Sequence, residues 1–111
     1  MATLSSHLLN SVNGTHAKNV DVIIYQIKSN GEKKIFYETK TDNSGRLLKE
    51  FKLDDEDCKS EYEMICKTGD YFSEKKIISE VVIKFRMTDP NKKYHIPIII
   101  SPNGYSIWWS D

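Results

Sequence analysis

Short segments rich in β-branched and aromatic residues alternate with turn signals along most of the chain, and this spacing constrains the fold more than any other feature. Such segments are typical of β-strands, and clusters of Gly, Asn, Asp and Pro break the chain between them. The predicted strands are 20–27, 34–39, 47–53, 61–67, 81–87, 93–101 and 105–109. Strands repeating at intervals of about 8–12 residues predict an all-β sandwich.

Three stretches call for a separate interpretation. Residues 70–78 place Tyr71 and Phe72 before two lysines at helix-like spacing, which predicts one short helix there. The acidic run at 54–57 predicts a solvated loop. The strand at 47–53 is polar enough to be an edge strand.

Length and charge exclude several classes of protein. A chain of 111 residues is expected to form a single domain over 1–111. Its 16 basic and 16 acidic residues balance, so a nucleic-acid partner is not expected. With 39% apolar and 11% aromatic residues the chain is too apolar for disorder. No apolar run reaches the roughly 18 residues of a membrane span, so no membrane partner is expected either.

Compartment is inferred from the cysteines and the first residues. The N-terminal segment has neither a basic region nor an apolar core, so we expect no signal peptide. Cys58 and Cys66 are too few for a disulfide framework in a chain of this size. A reduced, cytoplasmic setting is the expectation, with a single bridge as the alternative.

Two histidines and one arginine are the candidate chemical groups. His7 and His95 each interrupt an apolar strand, and Arg46 begins a strand after the Gly45 turn. Taken alone, a histidine on a strand is often a hydrogen-bonded structural residue, and an arginine after a turn is often only solvated. Neither histidine has a cysteine or carboxylate at ligand spacing, so no metal site is predicted.

The C-terminus carries two adjacent tryptophans. On a strand, Trp108 and Trp109 would point to opposite faces of the sheet. A small sandwich rarely covers both of its faces, and an exposed ring of this size marks an interface or a ligand site. We therefore expect an oligomer whose C-terminus lies near a functional cleft. The alternative is that Trp109 simply lies on the surface.

Several motifs, taken in order, resemble the transthyretin-like 5-hydroxyisourate hydrolases. The resemblance runs essentially from end to end at the family's spacing. The segments that carry it are 4–10 (LSSHLLN) with Asn13-Gly14, 41–46 (TDNSGR), 67–72 (KTGDYF), 88–90 (TDP), 94–102 (YHIPIIISP) and 104–106 (GYS).

The resemblance implies a transthyretin-like (prealbumin-like) eight-stranded β-sandwich with one short helix. It also implies a homotetramer, a dimer of dimers whose sites lie at the dimer–dimer interface. The family reaction is hydrolytic ring opening of 5-hydroxyisourate, a small-molecule substrate of urate breakdown, and it needs no metal or organic cofactor. The family's two catalytic histidines correspond to His7 and His95, and its substrate-binding arginine corresponds to Arg46.

The chain departs from the family pattern at its end. The family tail Tyr-Arg-Gly-Ser lines the site, and Trp108, Trp109, Ser110 and Asp111 stand in its place, so these four are expected to be substrate-binding residues. One arginine is thereby lost and one carboxylate gained. Two alternatives follow: an enzyme of this fold redirected to another cyclic substrate, or a non-catalytic carrier of a small ligand. His16, which replaces a proline of the family, is expected to be a surface residue.

Overall fold

Alternation along the first strand, β1 (Ala2–Asn10), divides its side chains between a buried and an outward face. Leu4, Leu8 and their alternate neighbours are buried, whereas Ser5 and His7 are only half-buried. Period-2 alternation is the pattern of a strand with one face on the core. The same division recurs along the strand that pairs with it, β8 (Lys93–Ser101), where Tyr94 is buried and His95 is half-buried.

The computed structural model describes residues 1–73 and 77–110, and its strands form two sheets. The remaining strands are β2 (Thr15–His16), β3 (Asp21–Ile27), β4 (Lys33–Lys40), β5 (Arg46–Phe51), β6 (Glu61–Cys66), β7 (Val81–Phe85) and β9 (Gly104–Ile107). One sheet has the order β5-β1-β8-β9, with β2 beside the end of β1; the other has the order β4-β3-β6-β7. β1 and β8 pair in parallel, and the other pairs are antiparallel.

The all-β sandwich prediction is confirmed, and among the described residues eight strands longer than β2 make up its two layers. As expected, β5 lies at an edge of its sheet, where it pairs with β1. Side chains from both sheets meet in one core that includes Leu4, Ile24, Met64 and Ile98. Both cysteines are free thiols, and Cys66 is buried in this core. Within the two described ranges, no helix is long and apolar enough to cross a membrane.

Helices are where the sequence prediction was partly wrong. The acidic run at 54–57 was predicted to be a loop, but it begins a helix, α1 (Asp55–Lys59). Asp54 caps this helix, because the Asp54 and Asp57 side chains each accept a hydrogen bond from the other residue's backbone N–H. The helix predicted over 70–78 is α2 (Thr68–Phe72), which ends at Ser73 in a left-handed conformation. Residues 74–76 of that prediction lie outside the described residues.

Candidate functional site

Three neighbouring strands bring His7, Arg46 and His95 to one face of the first sheet. His7 of β1 pairs directly with Arg46 of β5 on one side and with Pro97 of β8 on the other. His95 pairs with Ser5, two residues from His7, and so lies on the same outward face. The two histidines are half-buried and Arg46 is exposed. Residues at positions 7, 46 and 95 of the chain therefore share one surface, turned away from the core.

The turn before β5 fixes the position of Arg46. The Asp42 carboxylate accepts hydrogen bonds from the backbone N–H groups of Ser44 and Arg46, each at 2.9 Å. These two bonds lower the pKa of Asp42, because they stabilise its ionised form. Gly45 completes the turn with a φ of +71°, and its carbonyl oxygen accepts a 2.7 Å hydrogen bond from Leu8 N–H. The turn is thus joined to β1 next to His7.

His95 is held through one ring nitrogen and through its backbone. Its Nδ1 lies 2.8 Å from the Ser5 hydroxyl oxygen, and its carbonyl oxygen accepts a 3.0 Å hydrogen bond from Ser110 N–H. When Nδ1–H donates to Ser5, the lone pair of the neutral ring is on Nε2. Sequence analysis did not select Ser5 as a site residue. The parallel register of β1 and β8, which places Ser5 beside His95, has no local sequence signal.

His7 is paired with a third histidine, His16, for which only a surface position was expected. His16 is exposed, as expected, but its Nδ1 lies 2.9 Å from His7 Nε2 and the two rings stack with centroids 5.0 Å apart. Burial, the positive charge of Arg46 and the neighbouring His16 together lower the pKa of His7. A hydrogen bond with the Ser44 backbone partly opposes this shift. His7 thus has a preference for the neutral form.

The C-terminal segment continues along β8 after β9 ends at Ile107. Trp108 N–H donates to the Pro97 carbonyl at 3.3 Å, and Ser110 forms a bridge with His95. Both tryptophans are about half exposed, at 45% and 48%. The Trp109 ring lies against Tyr94, with centroids 5.6 Å apart, and Lys92 Nζ lies 5.0 Å from the same ring. Trp108 and Ser110 therefore run beside the His95 strand, and Asp111 lies outside the described residues.

Two cavities lie away from the histidines. One, of about 530 Å³, opens on the second sheet between residues such as Asp21, Lys40 and Lys67. The other, of about 200 Å³, is apolar and lies between the edges β7 and β9; its lining includes Phe85, Ile107 and both tryptophans. Neither is lined by any residue of the His7, Arg46 and His95 group. The surface that carries His7, Arg46 and His95 lies on the outward face of the first sheet.

The chain is similar in sequence and in fold to known proteins. Residues 4–109 match the model of the HIUase/Transthyretin family. A 5-hydroxyisourate hydrolase of Salmonella dublin is 33% identical over 108 residues, covering 95% of this chain and 78% of the relative. One of Halalkalibacterium halodurans is 27% identical over 112 residues, covering 95% and 94%.

Solved structures show the same fold. Klebsiella pneumoniae 5-hydroxyisourate hydrolase superposes with a TM-score of 0.80 at 23% identity, covering 100% of both chains. An (S)-allantoin synthase superposes with a TM-score of 0.84 at 22% identity, covering 99% of this chain and 44% of the synthase. Because the family model spans nearly the whole sequence, and the relatives align along nearly all of it, this chain belongs to the HIUase/Transthyretin family.

Proposed function

We propose that this protein is a 5-hydroxyisourate hydrolase that opens the substrate ring during urate breakdown. The observation that carries the proposal is the meeting of His7, Arg46 and His95 on one outward face through the β5-β1-β8 register. Relatives that align along nearly the whole chain bear this name. We expect the protein to act in the cytoplasm on this small molecule.

The proposed reaction adds water to a ring carbonyl. The water oxygen forms a bond to the acyl carbon, and the water's proton passes to a neutral imidazole. His95 suits this role because Ser5 holds its Nδ1, which leaves Nε2 to take the proton. The ring C–N bond then breaks, and His95 returns the proton to the leaving nitrogen. A base positioned in this way typically contributes about 10²–10⁴-fold in rate.

His7 and Arg46 are proposed to orient the reacting groups. Arg46 is a fixed cation that binds an anionic substrate and stabilises negative charge developing on the carbonyl oxygen. Burial and the charge of Arg46 both disfavour a proton on His7. As pH falls through the lowered pKa of His7, the ring gains a proton and a second cation appears beside Arg46. Activity is therefore expected to fall on the acid side.

We further propose that the working unit is a homotetramer, a dimer of dimers, with each site covered by a second dimer. The exposed apolar side chains at the end of the first sheet support an assembly of several chains, at a place other than the face that carries His7, Arg46 and His95. Ile107, Trp108 and Trp109 are each more than two-fifths exposed, and they line the apolar cavity between β7 and β9. Light scattering of the purified protein tests the assembly, and a monomer at micromolar concentration would overturn it.

One observation favours a second candidate, an enzyme of this fold acting on a less anionic or more aromatic substrate. Trp109 stands where the resembled family has an arginine, so a cationic donor is absent from this position. A hydrogen bond to a charged group contributes about 1.5–3 kcal/mol, which is about tenfold or more in binding. If that donor limits turnover, Trp109→Arg should raise kcat/KM for 5-hydroxyisourate, whereas Trp109→Phe should not.

The experiment that tests the proposal generates 5-hydroxyisourate in place with urate oxidase and follows its decay spectroscopically. We expect micromolar protein to accelerate the decay. We also expect His95→Ala and Arg46→Ala to abolish the acceleration. Binding of the substrate without acceleration would instead support a carrier, and acceleration only in Trp109→Arg would support the second candidate.

A further inference from the structure

The His7–His16 contact is a feature that the proposed reaction does not explain. His16 lies on the two-residue strand β2, where its backbone pairs with Leu9 of β1. The next residue, Ala17, is fully buried, and its N–H donates a 2.9 Å hydrogen bond to the Leu8 carbonyl. The backbone on both sides of the His16 ring is therefore held to β1, although the ring itself is exposed.

The contact has the geometry of a specific pair. His7 Nε2 and His16 Nδ1 are 2.9 Å apart, an ordinary distance for a hydrogen bond between two ring nitrogens. The ring planes are inclined by 28° with centroids 5.0 Å apart, so the pair is both hydrogen-bonded and stacked. A neutral imidazole has one donor and one acceptor nitrogen, so two neutral rings share one hydrogen here.

We propose that His16 is a positioning residue of this site, which acts through His7 by holding the His7 ring at Nε2. The inference rests on the proposed function and extends it to a residue that stands where the resembled family has proline. With Nε2 fixed by His16, the His7 ring keeps one orientation toward Arg46, its direct partner on β5. His16 thus orients the His7 ring through a hydrogen bond to one ring nitrogen, as hydrogen-bonding neighbours do for many functional histidines.

The charges around His7 support the same role. Arg46 on β5, His95 on β8 and His16 on β2 each disfavour a proton on His7, and the Asp42 carboxylate lies near enough to interact with it. Replacing His16 by a neutral side chain removes one of these effects. The pKa of His7 should then rise, because burial, Arg46 and His95 alone oppose its protonation.

Two substitutions separate the effects of the His16 hydrogen bond, the His16 ring and the His16 charge on His7. His16→Asn places an amide where Nδ1 was, so it keeps a hydrogen-bonding group but does not titrate. His16→Phe keeps a stacked ring but has no hydrogen-bonding atom. Thermal denaturation of both variants checks that each one folds.

The first measurement is an NMR titration of the His7 ring, which does not depend on activity. We expect the pKa of His7 to be higher in His16→Asn, which removes the second imidazole but keeps a hydrogen-bonding group, than in the unmodified protein. An unchanged His7 titration in His16→Asn would overturn the inference, even if the protein were an active hydrolase. If the His7 titration changes but the unmodified protein has no hydrolase activity, the inferred His7–His16 contact is supported and the proposed function is wrong.

The second measurement is kcat/KM for 5-hydroxyisourate as a function of pH. The acid limb should move to higher pH in His16→Asn. At the alkaline plateau, His16→Phe should lose about three- to tenfold, the worth of one neutral hydrogen bond, and His16→Asn should lose less. Equal plateaus in His16→Phe and the unmodified protein would contradict a positioning role.

Discussion

Replacing Gly45 by alanine tests how the turn before β5 holds Arg46 against β1. A methyl carbon at this position would lie 2.5 Å from the Leu8 carbonyl oxygen and 3.0 Å from Ala17 N, both backbone atoms. Carbon atoms do not approach a carbonyl oxygen this closely, so the turn or β1 must move. The Leu8 oxygen also accepts the hydrogen bond from Ala17, which such a movement would weaken.

Gly14 provides a matched control for the backbone conformation. Its φ is +73°, against +71° at Gly45, but a methyl group at Gly14 would have no neighbour within 4 Å. A left-handed alanine costs about 1–2 kcal/mol, which both variants share. The clash and the weakened hydrogen bond add about 1–2 kcal/mol at Gly45 alone.

The assay is thermal denaturation at one fixed protein concentration, combined with kcat/KM. With about 5 °C lost per kcal/mol in a domain of this size, Gly45→Ala should lower Tm by about 10–20 °C and Gly14→Ala by about 5–10 °C. Gly45→Ala should also lower kcat/KM more, because Arg46 follows it directly. Equal Tm values for the two variants would refute the steric argument, and unchanged kcat/KM in Gly45→Ala would refute the link to Arg46.

Two further predictions concern the groups that hold His95 and Arg46. Ser5→Ala removes the partner of His95 Nδ1 and should lower kcat about three- to tenfold. The control Thr3→Ala, on the same face of β1, should change kcat less than about twofold. Equal kcat values for the two variants in stopped-flow assays would contradict a role for Ser5. Asp42→Ala removes the acceptor of two turn hydrogen bonds and should raise KM, whereas Asp42→Asn keeps an accepting oxygen and should not. A matched rise in KM for both Asp42 variants would instead implicate the charge.

The layered fold was predicted from the sequence for physical reasons, whereas the roles of His7, Arg46 and His95 stay a prediction from the family resemblance. Period-2 burial along β1 and β8 places His7 and His95 on the outward face wherever the strands pair. The Asp42–Gly45 turn, with its left-handed glycine, marks the start of β5 and therefore the position of Arg46. These are local signals, and the resemblance to a known family supplied the pairing between distant strands.

What the sequence did not predict depends on contacts between distant segments or on very short elements. Helix α1 has five residues, too few for periodicity, and its signal is the pair Asp54 and Asp57 three positions apart. The contact of His16 with His7 depends on β2, which has two residues, and on its register with β1. The side chain of Ser5 gains its role only when β8 lies parallel to β1.

The rate constant for loss of 5-hydroxyisourate, measured with and without the protein, tests the central claim most directly. We expect a rate that increases in proportion to protein concentration above the spontaneous decay. We also expect that Arg46→Ala, a change at an exposed position that leaves the core intact, returns the rate to the spontaneous value. Spontaneous decay at every concentration of the folded, unmodified protein would contradict the account.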